Sequence, residues 1–254
     1  MRRSSTQGVN DGISCIICAF NEAPRIAAVL AVASVHPLLQ EVIVVDDGST
    51  DDTAKVVKRF PSVRLISYTE NQGKSFAMAT GIAKAQSNFL MLLDADLKGL
   101  TAEYLTKLAT PVLSGKTDVS LSLRKNSLLI FRAIGLDFVS GERVISKELL
   151  SDALDEIFEL PRFGIEVFMN RIIIARQLSI SVAHWHQVTQ SRKTEKLGYW
   201  KGIRAEWRMI ADLLRVVYPA LLISQTWQML SLRANHAGKV ATVVQLVKAH
   251  YNAL

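Results

Sequence analysis

Apolar and polar positions switch between two periods along the first hundred residues. Gly12 to Phe20 (GISCIICAF) is an unbroken apolar run, too short for a helix, and reads as a buried strand. Asn21-Glu22-Ala23-Pro24 interrupts it, and from Arg25 to Val35 the apolar residues recur at helical spacing. Glu41 to Val45 is β-branched and runs into Asp46-Asp47-Gly48-Ser49-Thr50, a strand feeding a polar loop. The pattern then predicts a helix over Asp51 to Phe60 with Asp or Thr as its cap, and a third strand over Val63 to Tyr68. A turn at Asn71-Gln72-Gly73-Lys74 follows, then a helix over Ser75 to Ala85 and a fourth strand over Asn88 to Leu93. Strand and helix in strict alternation predict an α/β fold whose mostly parallel sheet is covered on both faces. No internal repeat or low-complexity segment interrupts it.

In such sheets ligands bind beyond the carboxyl ends of the strands. Phe20-Asn21-Glu22, Asp46-Asp47 and Asp94-Ala95-Asp96 all fall at those ends. Two ionised carboxylates at i and i+2 repel unless a cation lies beside them. Mg²⁺ or Mn²⁺ suits such oxygen ligands, binding one or two carboxylates plus substrate phosphates. An isolated Asp-x-Asp is most often a solvated turn. The second acidic pair at another strand end shifts the balance toward a nucleotide site, with Asp47 able to meet a base or ribose. Lys74, after the flexible Gly73, is either a phosphate ligand or ordinary surface charge.

Composition narrows the classes. A chain of 254 residues suits one large α/β domain or two small ones. A mean hydropathy of +0.20 is high for a soluble protein and raises membrane contact, yet no run reaches the roughly 18 uncharged apolar residues of a spanning helix. Met1 to Gln7 lacks an apolar stretch, so no secretory signal is expected. Cys15 and Cys18 lie in one strand with side chains on opposite faces, which excludes a disulfide framework and favours a cytoplasmic setting. The first hundred residues carry ten basic and ten acidic side chains, so the whole net charge of +7 lies beyond Leu100. A basic half can face anionic lipid or phosphorylated substrates. No aromatic-interleaved basic motif is present, and nucleic acid is not expected as a partner.

The segments Ala19-Phe20-Asn21-Glu22, Glu41 to Thr53, Asn71-Gln72-Gly73-Lys74 and Leu92 to Asp96 together resemble, in order and spacing, the family-2 glycosyltransferases of the GT-A fold. The likeness covers roughly residues 13–100. It implies a nucleoside-diphosphate-sugar donor, UDP- or GDP-linked, and a divalent metal, Mg²⁺ or Mn²⁺, on the diphosphate. It also implies that Ala19, Asn21 and Glu22 line the nucleoside pocket and that Asp47 contacts the base or ribose. Lys74, Asp94 and Ala95 lie at the nucleotide, and Asp96 is the direct metal ligand.

In the second half, Ser140-Gly141-Glu142-Arg143 and Arg162-Phe163-Gly164-Ile165-Glu166 are similar to segments of glucosyl-3-phosphoglycerate synthases and of polyprenyl-phosphate glycosyltransferases. Gly141 and Gly164 are read as backbone close to ligand, or as two ordinary turns. The resemblance puts Gly141, Glu142 and Arg143 on the acceptor or phosphate side and Glu166 at the sugar as a catalytic carboxylate, with Asp94 and Asp96. It leaves retention or inversion of configuration open. His184-Trp185-His186 follows a strand-like Leu178 to Ala183, and the retaining relatives add a metal-binding histidine from this region. His186 is taken as that ligand, although the relatives' histidine falls nearer Thr189-Gln190; structural histidines are the alternative. Arg192-Lys193-Thr194-Glu195-Lys196 resembles the basic stretch that closes over donor phosphates.

Residues 1–200 are thus read as the catalytic domain, with a donor half 12–100 and an acceptor half 101–200. Residues 201–254 are read as a helical, membrane-associating segment. There Ile203, Trp207, Ile210, Leu214, Val217 and Leu221 recur at helical spacing, the mark of a core face or of an interfacial helix. Pro219 to Leu232 carries Gln225 and Gln228 and would lie on a membrane rather than cross it. The expected acceptor is phosphorylated or lipid-linked, polyprenyl phosphate first, at the inner face of the membrane. A soluble phosphorylated metabolite is the alternative acceptor, and a non-catalytic nucleotide-sugar-binding protein the alternative class. Val45-Asp46-Asp47-Gly48-Ser49 is also similar to the nucleophile loop of haloacid-dehalogenase phosphatases, but Val45 stands at the nucleophile position and cannot attack phosphorus.

Overall fold

The computed structural model describes residues 12–127, 129–161, 164–190 and 219–233. The first half runs β1 (Ile13–Ala19), α1 (Ile26–Ala33), β2 (Leu39–Asp46), α2 (Thr53–Val57), β3 (Val63–Ser67), α3 (Lys74–Lys84) and β4 (Phe89–Asp94). These are the expected elements, with boundaries shifted by one or two residues and one larger difference. The helix expected from Asp51 to Phe60 is shorter, because the Asp51 carboxylate accepts the N–H groups of Thr53 and Ala23 and stays in the loop. Next come β5 (Leu97–Lys98), α4 (Ala102–Leu113), β6 (Val119–Arg124), α5 (Leu129–Ile134) and β7 (Arg143–Ser146). The remainder is α6 (Glu148–Ser151), α7 (Leu154–Phe158), α8 (Ile165–Ala175), β8 (Ile180–Trp185), β9 (Thr189–Gln190) and α9 (Pro219–Ser231).

Seven strands form one sheet in the order β3-β2-β1-β4-β7-β6-β8. All its neighbouring pairs are parallel except those of β7, which is antiparallel to β4 and to β6. Register then decides where the polar residues meet. Ala19 lies opposite Asp46, and Cys18 opposite Asp94, so the ends of β1, β2 and β4 come level. An antiparallel strand begins where its neighbours finish, and Arg143 at the start of β7 faces Leu92 and Leu121. The Ser140–Glu142 approach is therefore delivered to the same edge as Asp94 and Arg124. The second small sheet pairs Leu97 of β5 with Gln190 of β9 and fixes another segment there.

The alternation of a strand buried on both faces splits the core in two. Ile13, Cys15 and Ile17 pack on one side with α1 and α4; Ile16 and Cys18 pack on the other with α3 and α8. Both cysteines are free thiols. Helix α9 packs on α8, placing Met229 and Leu230 in the second core, and Leu232 O accepts the Ile180 N–H. The Pro219–Leu232 run thus buries part of its surface in protein. Ser224, Trp227, Gln228 and Ser231 are exposed, with Trp227 a large apolar group among them. Among the described residues no helix is long and apolar enough to cross a membrane.

Candidate active site

The loops after β1 and β2 are tied to each other by backbone amides. Asn21 adopts a left-handed backbone (φ 56°), which asparagine tolerates. Its Oδ1 accepts the N–H groups of Thr50 (2.8 Å) and Asp51 (3.3 Å), and its own N–H donates to Ser49 Oγ. Asp47 donates its N–H to Ala19 O at 2.8 Å. The two oxygens of its carboxylate accept the N–H groups of Gln72 and Gly73, each at 2.8 Å. Gly48 turns between them at φ +71°, and a Cβ there would stand 2.6 Å from the carbonyl carbon of Glu70. The Glu22 N–H donates to Thr53 Oγ1 while its carboxylate pairs with Arg25. Of the expected nucleoside-pocket residues, Ala19, Glu22 and Asp47 are buried in this framework, whereas Phe20 is 45% exposed at its rim. The sequence reading gave Phe20 no role; its place beside Asn21 was the available signal.

A charged centre lies where β4, α3, β6, the approach to β7, and α8 converge. Lys74 Nζ is 2.9 Å from Asp94 Oδ1 and 2.7 Å from Glu166 Oε1. Asp94 Oδ2 accepts Gln190 Nε2 at 2.9 Å and lies 3.6 Å from Arg124 Nη1. That same Nη1 donates to Glu142 Oε1 at 2.7 Å, and Arg124 Nη2 is 3.8 Å from Asp137. Gly141 is glycine for a visible reason: a Cβ would stand 2.8 Å from Asp94 Oδ1 and 3.1 Å from Lys74 Nζ. Gly164 has no such constraint, its nearest neighbours being Leu160 and Pro161 at 3.4 Å, and it caps α8 in an ordinary turn.

Electrostatics follow from this packing. Burial opposes the charge on Lys74, but Asp94 and Glu166 outweigh it and hold the ammonium pKa well above its ordinary value. Burial would likewise raise Asp94; Lys74 and Arg124 outweigh it and hold the carboxyl at about 2. Glu142 is raised, by burial and then by the Asp94 charge, with Arg124 opposing. The site is thus a set of opposed charges with little exposed surface, where electrostatic interactions exceed their value in water.

The remaining expected residues are placed as follows. Ala95 and Asp96 are buried in the turn between β4 and β5. Glu142 and Arg143 have no exposed surface. Glu142 accepts the hydroxyls of Ser122 and Ser140, and Arg143 donates to Ser140 O and Asn170 Oδ1, so both are spent on buried protein partners. His186 is exposed and its ring stacks on His184, centroids 5.8 Å apart, either side of the buried Trp185. Among the described residues no three His, Cys, Asp or Glu side chains gather as a metal site. Gln190 stands instead at Asp94, near the position where the resemblance expected a histidine. Asp96 is a buried carboxylate two residues on from Asp94, and carboxylate oxygen is the donor type that suits Mg²⁺ or Mn²⁺ bound largely through substrate phosphates. Arg192 and Lys193 lie outside the described residues.

Comparison with known proteins assigns this architecture. The family model described as Glycosyl transferase family 2 matches residues 14–132. Residues 14–132, just under half of the chain, thus resemble a family 2 glycosyltransferase domain. The match takes in Asp47, Lys74, Asp94, Asp96 and Arg124, while Glu142 and Glu166 lie beyond it. A poly-beta-1,6-N-acetyl-D-glucosamine synthase of Staphylococcus epidermidis is 32% identical over 90 residues, 34% of this chain and 22% of that one. A dolichyl-phosphate beta-glucosyltransferase of Trichomonas vaginalis is 33% identical over 94 residues, 32% of this chain and 28% of that one. The chain thus spans about a quarter of the length of these curated relatives. In fold, it is similar to the glucosyl-3-phosphoglycerate synthase of Mycobacterium tuberculosis, solved with Mn²⁺ and UDP-glucose. The TM-score is 0.61 at 24% identity, covering 80% of this chain and 78% of that one. The GT-A fold likeness therefore extends beyond the residues that match the family model.

Proposed function

We propose that the chain transfers a sugar from a nucleoside-diphosphate-sugar, UDP- or GDP-linked, to a phosphorylated acceptor, with a lipid-linked polyprenyl phosphate favoured. The observation that carries this reading is the Asp94–Lys74–Glu166 cluster, which joins a strand end and a helix start within the family 2 match to Glu166 of α8 beyond it. Phe20 offers an exposed ring for a base to stack on. Asp94 and Glu166 present acceptors for sugar hydroxyls, and Lys74 supplies fixed positive charge as the diphosphate departs. Asp96 would hold a divalent cation, Mg²⁺ or Mn²⁺, which when bound neutralises that diphosphate. A phosphate acceptor brings its own nucleophilic oxyanion, so no base need remove a proton. Arg192 and Lys193 add cationic groups for donor or acceptor phosphate.

The lipid-linked acceptor is supported by the relative named as a dolichyl-phosphate beta-glucosyltransferase and by the basic C-terminal half, and it would place the enzyme peripherally at the inner face of the membrane. A soluble phosphorylated acceptor is the second reading. It is favoured by α9, which buries Met229 and Leu230 in protein and exposes mainly polar side chains among those described. The two separate in one assay with labelled UDP-glucose or GDP-mannose and Mn²⁺ or Mg²⁺, offered either undecaprenyl phosphate in mixed micelles or phosphoglycerate. Label in the organic phase supports the lipid, label in a new aqueous phosphosugar the metabolite. Absence of transfer and of donor hydrolysis with every pair would reject the enzyme reading.

A further inference from the structure

Gln190 ends β9 and Asn126 lies just past β6; neither was given a role by its sequence position. The Gln190 Nε2 amide donates to Asp94 Oδ2 at 2.9 Å, on the opposite oxygen from the one that pairs with Lys74. The main chain of Gln190 is fixed from two sides. On one, Leu97 and Lys98 of β5 pair with Gln190 and Thr189. On the other, the Asn126 side chain bonds it as a neighbouring strand would. Asn126 Nδ2 donates to Gln190 O at 2.8 Å, and Asn126 Oδ1 accepts the Gln190 N–H at 3.2 Å. The preceding residues are tied in the same way. The Lys125 N–H donates to Val188 O at 3.1 Å, and Gly99 packs so closely that a Cβ there would stand 2.8 Å from Gln187 O. Residues 187–190 are thus held to two other segments, and the half-buried Gln190 side chain is delivered to Asp94.

We propose that Gln190 is a donor-specificity residue: with Asp94 it reads the hydroxyls of the transferred sugar, and Asn126 positions it for that task. This deepens the nucleotide-sugar reading and rests on it. A glutamine amide carries two N–H donors and an acceptor oxygen, so one bond to Asp94 does not exhaust it, whereas an ionised carboxylate only accepts. Side by side, the two groups offer donors and acceptors along one edge. Adjacent sugar hydroxyls, each both donor and acceptor, match such an edge. A neutral donor also holds a carboxylate less strongly than an ammonium does. Gln190, rather than Lys74, is therefore the partner of Asp94 whose bond a hydroxyl replaces or shares. A purely structural role explains less. The pairing with β5 and the clamp by Asn126 both use the main chain of residue 190, so any side chain there would close them. The amide that reaches Asp94 is not needed for either.

The test uses the full chain with Gln190→Leu, Asn126→Leu and the double variant. Titration calorimetry in the presence of Mn²⁺ compares UDP-glucose with UDP, and GDP-mannose with GDP, so each nucleotide is read with and without its sugar. Gln190→Leu should weaken binding of the nucleotide-sugar by about fivefold or more, the scale of one hydrogen bond, and change the free nucleoside diphosphate by less than about twofold. Asn126→Leu should give the same selective loss, by about threefold or more. Because Asn126 acts through Gln190, the double variant should match Gln190→Leu within about twofold. Gln190→Glu, of the same length but with no N–H to donate, should show the selective loss too and decides the matter if Gln190→Leu does not fold. Equal weakening of nucleotide-sugar and free diphosphate, or no weakening of either, would overturn the proposal. Additive losses in the double variant would remove Asn126 from it. Wild-type protein that binds neither nucleotide-sugar would overturn the functional reading and this inference with it; wild-type binding with unselective variants would overturn the inference alone.

Discussion

Asp47 and Asp94 stand at the ends of β2 and β4, the parallel strands on either side of β1, yet they are held by different chemistry. Asp47 gives its two oxygens to the N–H groups of Gln72 and Gly73. Asp94 gives its oxygens to Lys74, Gln190 and Arg124, brought from α3, β9 and β6. An amide-held carboxylate is a building element: the amides cannot move without the loop. A carboxylate held by side-chain cations can exchange those partners for a ligand's hydroxyls or a metal, because each partner is on a flexible stem. The loops after β1 and β2 are therefore a frame, and the Asp94 centre is where partners can be exchanged.

The largest expected effect that separates the two is Lys74→Met. It leaves Asp94 and Glu166 facing each other without their shared cation and should destabilise the fold by about 3 kcal/mol, the scale for breaking a buried pair. Asp47→Asn keeps one acceptor and should cost about 1 kcal/mol. Equal losses in urea unfolding would erase the distinction. Two glycines sharpen it. Gly48→Ala forces a left-handed backbone onto a Cβ against the Glu70 carbonyl carbon and should cost about 2 kcal/mol. Gly141→Ala meets a side-chain oxygen instead, so it should cost about 1 kcal/mol or less in stability and reduce turnover at least tenfold by displacing Asp94. Thermal unfolding beside a donor-turnover assay reads both.

Acid sharpens it again. The folded carboxyl of Asp94 titrates at about 2 against an ordinary 3.8. Its pKa is depressed by folding, so its contribution is complete above the ordinary value and is lost as pH falls from about 4 toward 2. The loss is about 2 kcal/mol. Asp94→Asn should flatten that part of the pH–stability curve; an unchanged acid limb would remove the charged network from the account. The smallest effect belongs to Phe20→Ala. An exposed ring at the rim should change stability by no more than about 0.5 kcal/mol while weakening nucleotide binding severalfold, measured by titration calorimetry.

The same contrast explains what the sequence disclosed. The frame was legible because its signals are local: apolar runs of strand length, each ending in an acidic loop, with Gly48 and Gly73 at positive φ. Residues 13–100 therefore gave up their elements, their order and the aspartates at the strand ends. Glu166 and Gly141 were singled out as well, and the fold brings both to Lys74 and Asp94. Arg124 and Gln190 were not, because their roles arise from pairing between distant segments, β7 antiparallel between β4 and β6, and β5 against β9. Glu142 and Arg143 looked like ligand-facing polar residues; that a seven-strand sheet would bury them beside Ser122, Ser140 and Asn170 leaves no trace in local pattern.

The central claim, that the strand-end aspartates form a metal-assisted nucleotide-sugar site, is tested most directly by titrating UDP-glucose and GDP-mannose into wild-type protein and Asp96→Ala, each with and without Mn²⁺. The account predicts that wild-type protein binds one of the two at least tenfold more tightly with Mn²⁺, and that Asp96→Ala remains folded and loses that dependence. Metal-dependent binding that survives intact in Asp96→Ala, or no binding of either donor to the wild type, would contradict it.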